Sequence, residues 1–251
     1  MRRLENKVAL IAGGGAIGSE TARRLALEGC RVAIGDIDGD HALAVAEEIR
    51  RTGGEAEGFA YDQADEQSVA ALVSAVVERF GRLDCLHCNA AEMDAIMRDE
   101  DVLDLDMAVF DRTVDVNMRG YVLLARSALP HLLASRGAIV FTSSGAAYIG
   151  EPIRVAYAMT KAGILALMRH IASRWGKDGL RSNAIAPGFV VTERMKNTLT
   201  PEFSDQVLQA TRSPRHGTPA DIAAMVAMLF SDDGNWINGQ VLSVDGGTTM
   251  R

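Results

Sequence analysis

The chain has 251 residues, 48% hydrophobic and 24% charged. That ordinary globular composition can bury a sizeable core, and it excludes intrinsic disorder and collagen-like repeats. With 26 Lys and Arg against 33 Asp and Glu the net charge is −7, so a broad phosphate-binding surface for nucleic acid is not expected.

No apolar run approaches the roughly 20 residues of a membrane span. The opening Met1-Arg2-Arg3-Leu4-Glu5-Asn6-Lys7 runs into a short strand, not a signal-peptide core, so a cytoplasmic protein with no membrane partner is expected.

The first predicted strand, at 8–12, is followed directly by Gly13-Gly14-Gly15-Ala16-Ile17-Gly18. Gly13, Gly15 and Gly18 fit GxGxxG at a turn from strand to helix. There, small residues admit a pyrophosphate to the backbone amides, and the helix N-terminus favours its charge. A helical pattern at 19–28 ends at Gly29, and a second strand at 31–35 leads to Asp36. An acid at this strand end can accept hydrogen bonds from both ribose hydroxyls of an adenosine and repels a 2′-phosphate. No Lys or Arg lies at 14–16 or 37–40 to neutralise such a phosphate, so NAD is expected in preference to NADP.

Helical patterns at 42–52 and 66–80, ended by Gly53-Gly54 and Gly81, flank a strand at 56–61, and another strand follows at 83–88. That last strand carries Cys85-Leu-His-Cys88. With Cys30 as the only further cysteine and no second ligand pair at suitable spacing, Cys85, His87 and Cys88 read as core and no metal site is expected. Further helical patterns at 107–134 and 155–175 and strands at 138–142, 181–186 and 240–244 complete the chain. Short apolar strands alternating with helices predict a doubly wound α/β Rossmann fold. Its mostly parallel seven-stranded sheet would carry helices on both faces, in one domain spanning 1–251. Ligands of such a fold collect at the carboxyl ends of the strands, where strand order reverses.

Tyr157 and Lys161 stand four residues apart on the helical pattern 155–175, which puts a phenol and an ammonium on one face. A cation there favours the phenolate, so Lys161 is expected to bring Tyr157 towards a useful acid/base range. Ser143-Ser144 ends the strand at 138–142, and Asn117 lies in Asp115-Val116-Asn117-Met118-Arg119-Gly120.

In order and spacing these motifs, with Cys88-Asn89-Ala90-Ala91, Pro187-Gly188-Phe189-Val190-Val191-Thr192 and Asp245-Gly246-Gly247, resemble the short-chain dehydrogenase/reductase family along essentially the whole chain. The resemblance implies a catalytic tetrad. Ser144 would hold the substrate oxygen, Tyr157 would exchange its proton, Lys161 would also grip the nicotinamide ribose, and Asn117 would bend its helix and anchor a water leading to Lys161. It likewise implies cofactor contacts from Gly13, Gly15, Ile17, Gly18, Asp36 and Ile37, and from Asp62 and Gln63 near the adenine. Asn89 would lie near the ribose, and Pro187, Gly188, Val190 and Thr192 around the nicotinamide.

The sequence departs from the family pattern in a glycine loop one residue shorter, with Ala12 for Thr and Ala16 for a glycine. Cys88 and Ala91 replace Asn and Gly, and Ala91 is expected to strain the backbone.

The expected reaction is hydride transfer between NAD and a small secondary alcohol or ketone. The alternative is a non-catalytic NAD-binding sensor or scaffold. An epimerase would need a further substrate domain, and a dehalogenase-like lyase would replace Lys161 by arginine. Residues 191–219 are expected to cover the substrate as a lid, with Glu92, Met93, Ala146, Ile149, Phe189 and Met195 as pocket candidates. By resemblance the chain is a homotetramer that pairs through 107–134 and 155–175.

Overall fold

Seven short strands, buried at the centre and half-buried at the two edges, form one sheet in the computed structural model, which describes residues 3–196 and 199–250. They are β1 (Val8–Ala12), β2 (Arg31–Asp36), β3 (Ala56–Ala60), β4 (Cys85–Cys88), β5 (Ala138–Thr142), β6 (Arg181–Pro187) and β7 (Val241–Val244), in the order β3-β2-β1-β4-β5-β6-β7. Every pairing is parallel, so the sheet is wholly rather than mostly parallel. The order reverses between β1 and β4, where Ala12 pairs with Cys88, and this opens the crevice in which ligands of such sheets bind.

Side chains of β1 alternate between two cores. Val8, Leu10 and Ala12 face a core filled by α3 (Glu66–Phe80), α6 (Gly120–Ser135) and α7 (Val155–Trp175). Ala9 and Ile11 face the other, filled by α1 (Ala16–Leu27), α2 (Gly39–Arg51) and α10 (Pro219–Phe230). Cys88 belongs to the first core and Cys85 to the second. The two thiols therefore leave opposite faces of the sheet and cannot act as a pair. Burial pushes the Cys85 thiol up to about 12, as expected of inert core sulfur.

Asp38 and Asp65 cap α2 and α3 through backbone amides of their first turns, and Gly81 closes α3 at φ 78°. The helix expected over 107–134 is interrupted. It runs as α5 (Met107–Val114), one π turn (Asp115–Arg119) and α6, because Gly120 N–H reaches back to Asp115 O. Three short helices complete the order: α4 (Met93–Ile96), α8 (Glu193–Lys196) and α9 (Pro201–Ala210). Among the described residues no helix is long and apolar enough to cross a membrane.

Candidate active site

Gly13 leaves β1 with φ 104°, a conformation open mainly to glycine. A Cβ there would overlap the Ala90 backbone, and one on Gly18 would overlap Gly13 O, whereas a Cβ on Gly15 meets nothing within 4 Å. Thus Gly13 and Gly18 pack the turn while Gly15 faces open space. Helix α1 has no side-chain cap and no acid in its first turn, so its N-terminus stays available to an anion. These features fit a dinucleotide pyrophosphate despite the shortened loop.

Asp36 ends β2 beside this loop and accepts from Gly14 N–H at 2.6 Å and Asp38 N–H at 3.0 Å. Across the crevice a buried relay reaches the same loop. His87 Nε2 lies 2.8 Å from Thr142 Oγ1, Thr142 donates to Asn89 Oδ1 at 3.2 Å, and Asn89 Nδ2 donates to Gly13 O at 2.9 Å. The Thr142 proton is committed to Asn89, so His87 is the donor. Burial holds this imidazole neutral, pushing it down to about 3.

The carboxyl end of β5 separates two adjacent serines. Ser143 Oγ donates to Lys161 O at 2.8 Å and is buried, so it fastens β5 to α7. Ser144 Oγ accepts from Ala146 N–H at 3.2 Å, and its hydroxyl favours the anionic form of the Tyr157 phenol. Lys161, 1% exposed, donates from Nζ to Thr142 O at 3.0 Å, with Nζ 5.5 Å from the centre of the Tyr157 ring. Asn117 occupies the π turn; its Oδ1 accepts from Glu92 N–H at 2.8 Å, and its buried Nδ2 has no protein partner. Tyr157 and Lys161 therefore stand on α7 against the end of β5, where Ser144 follows, and Asn117 stands in the π turn, tied to Glu92.

The electrostatics correct one expectation. Burial raises the Tyr157 phenol above its ordinary value, outweighing the opposing effects of the Ser144 hydroxyl and the Arg154 charge. Burial also pulls Lys161 down to about 8. The low-dielectric site penalises both charged forms, so proximity of the ammonium alone does not yield a lowered phenol.

Other expected contacts divide. Gln63 is turned inward: it accepts from Tyr61 OH at 2.9 Å and donates to Val116 O at 2.8 Å. Its side chain locks the end of β3 to the π turn and is not offered to an adenine. Asp62 Oδ1 accepts from Ala64 N–H, Ile37 is 69% exposed, and Ile17 packs against the second core. Pro187 ends β6, and Gly188 approaches Asp245 so closely that a Cβ would lie 2.7 Å from its Cα. Val190 forms a lone parallel bridge with Gly217, and Thr192 Oγ1 accepts from Met195 N–H. Ala91 is not among the residues with positive φ, so the expected strain is absent.

Among the pocket candidates, Glu92 pairs with Arg112 at 2.8 Å. Phe189 meets Phe203 edge-on with ring centres 5.6 Å apart. Met93 and Ile149 are exposed, while Ala146 and Met195 are half-buried. The segment expected as a lid contains α8 and α9. A signal for α9 was present in Thr200-Pro201, a cap followed by proline at the first helical position. Sequence reading missed Asp99, whose carboxylate accepts from the backbone N–H of Tyr157 at 2.7 Å; nothing local announces a contact 58 positions away.

The family profile described as enoyl-(acyl carrier protein) reductase matches residues 11–249. A probable short-chain type dehydrogenase/reductase of Bradyrhizobium diazoefficiens is 41% identical over 98% of this chain and 89% of its own length. The 7alpha-hydroxysteroid dehydrogenase of Escherichia coli is 34% identical over 98% of this chain and 95% of its own. A solved structure of 7alpha-hydroxysteroid dehydrogenase complexed with NADH and 7-oxo glycochenodeoxycholic acid superposes with a TM-score of 0.89, at 34% identity over 98% of this chain and 95% of that one. Relatives named as dehydrogenases favour an oxidoreductase over a non-catalytic scaffold. Sheet order, crevice and full-length similarity together place the chain in the short-chain dehydrogenase/reductase family, among its hydride-transferring oxidoreductases.

Proposed function

We propose that the protein oxidises a secondary alcohol or reduces a ketone with NAD(H), Tyr157 acting as the acid/base. The observation that carries this reading is the placing of Tyr157 and Lys161 on one face of α7, with Lys161 Nζ 5.5 Å from the phenol ring and 3.0 Å from Thr142 O at the end of β5, where Ser144 follows. NAD(H) supplies the hydride chemistry. Tyr157 takes the hydroxyl proton in oxidation and returns it in reduction, and Ser144 holds the same oxygen. Lys161 would hold the nicotinamide ribose. Asn117 Nδ2 holds a water through which Lys161 exchanges protons.

Gly13, Gly15, Ile17 and Gly18 shape the pyrophosphate site, with Asp36 and Ile37 at the adenosine ribose and Asp62 near the adenine. Asn89 lies at the ribose, and Pro187, Gly188, Val190 and Thr192 bound the nicotinamide. NAD is preferred over NADP because Asp36 meets a 2′-phosphate with like charge. The chain acts as one domain, its region 191–219 covers the substrate, and it works in the cytoplasm as a homo-oligomer.

The test is a panel of secondary alcohols assayed for NADH formation. The 7alpha-hydroxysteroid dehydrogenase relatives make hydroxysteroids the first members of that panel. Formation of NADH that Tyr157→Phe slows by about 10²-fold or more supports the reading; turnover indifferent to that substitution overturns it.

A further inference from the structure

Helix α7, which carries Tyr157 and Lys161, starts without a cap of its own. Arg154 precedes it at φ 66° and makes no side-chain hydrogen bond to the first turn. Four amides at this helix start instead reach a loop more than fifty residues upstream. Tyr157 N–H donates to Asp99 Oδ2 at 2.7 Å and Ala156 N–H to Asp99 Oδ1 at 3.1 Å. Arg154 N–H donates to Asp99 O at 3.1 Å and Val155 N–H to Glu100 O at 3.4 Å.

Asp99 is 3% exposed. Burying a carboxylate is costly unless both oxygens are hydrogen-bonded, and an anion at a helix N-terminus is favourable. Both conditions are met here by the helix start itself. A serine or asparagine at position 154 could cap the helix locally; a cap from the loop adds a tie between the loop and the reacting helix. The same loop begins at Glu92, whose N–H donates to Asn117 Oδ1. Segment 92–99 therefore fastens to two residues of the tetrad.

We propose that Asp99 is a positioning residue for Tyr157, its carboxylate fixing the depth and rotation of the first turn of α7 and so the place of the phenol beside Ser144. This rests on Tyr157 as the acid/base. Misplacing a reacting group by about 1 Å costs on the order of 10²-fold in rate.

The test combines Asp99→Ala and the isosteric Asp99→Asn, each in the wild-type and Tyr157→Phe backgrounds. It reads kcat, KM, the deuterium effect on hydride transfer and the NADH dissociation constant. Asp99→Ala is expected to lower kcat by about 10- to 100-fold and raise the deuterium effect, with NADH affinity held within about twofold; in Tyr157→Phe it adds less than about twofold. Asp99→Asn, which keeps one acceptor oxygen, falls between.

Equal losses in both backgrounds overturn the proposal, as does loss of NADH binding together with turnover in Asp99→Asn, which marks a purely structural role. Wild-type kcat in both Asp99 variants while Tyr157→Phe is slowed by about 10²-fold or more overturns it too. Full turnover in Tyr157→Phe removes the acid/base assignment, and the positioning role with it.

Discussion

The Asp36 carboxylate accepts a hydrogen bond from Gly14 N–H at 2.6 Å, so the residue proposed to read the adenosine ribose also holds the glycine loop in place. Asp36→Ala should weaken both cofactors, NAD the more. The ratio of kcat/KM for NAD over NADP is expected to fall by about 10- to 100-fold, the equivalent of one charge-assisted hydrogen bond. An unchanged ratio moves the selectivity determinant elsewhere.

Tyr157→Phe removes one hydroxyl and leaves the ties of α7 to Asp99 and Ser143 in place. Turnover should fall by about 10²- to 10⁴-fold while NADH affinity and melting temperature stay near wild type. Steady-state rates on an identified alcohol, with calorimetric NADH binding, check this.

Burial pulls Lys161 down to about 8 in the folded protein, below the ordinary 10.5. Between those values the unfolded chain binds the extra proton, so stability rises with pH there and the cost of burying the cation is fully present below about 8. Against Lys161→Met, the wild type should gain about 3 kcal/mol from pH 8 to 10.5, at 1.36 kcal/mol per pH unit. Urea melts of both proteins across that range measure it; a constant difference contradicts the burial argument. The substitution should also lower both turnover and NAD affinity.

The two glycines that open the cofactor loop should separate folding from binding. Gly13→Ala places a Cβ against the Ala90 backbone at positive φ, costing about 3 kcal/mol or more, or roughly 6–12 °C in melting temperature. Gly15→Ala meets no protein atom within 4 Å, so it should melt like wild type and lose NADH affinity. If Gly15→Ala instead binds NADH normally, the pyrophosphate lies elsewhere.

Val122 on α6 and Met159 on α7 are 44% and 55% exposed, on the helices proposed to pair between subunits. Sedimentation at micromolar concentration should show an oligomer, and Val122→Lys with Met159→Lys should shift it to smaller species. A wild-type monomer refutes the pairing.

Much of this was legible in the sequence because it is local. The strands at 8–12 and 138–142 and the helix at 155–175 appear at their expected bounds, since apolar runs and a 3.6-residue period mark them directly. The order of Asn117, Ser144, Tyr157 and Lys161 was equally readable. What escaped depends on distant partners. A π turn keeps nearly helical spacing, so 107–134 read as one helix. Gln63 reads as a strand-end polar residue until Val116 and Tyr61 claim its amide. The raised phenol follows from burial by residues far along the chain, which no YxxxK spacing encodes.

The π turn at Asp115–Arg119 holds one residue more than the α turn it replaces and absorbs it as a local bulge. Deleting one residue there closes an ordinary α-helix and leaves α6 facing as before, so Tyr121, Leu124 and Ala128, all buried, keep their places in the core. What changes is Asn117, whose Oδ1 the bulge sets against Glu92 N–H. The same deletion inside α6, past the bulge, rotates the rest of that helix by about 100°. Grafts from relatives must therefore match residue count within α6 for the fold, and across the π turn for the site.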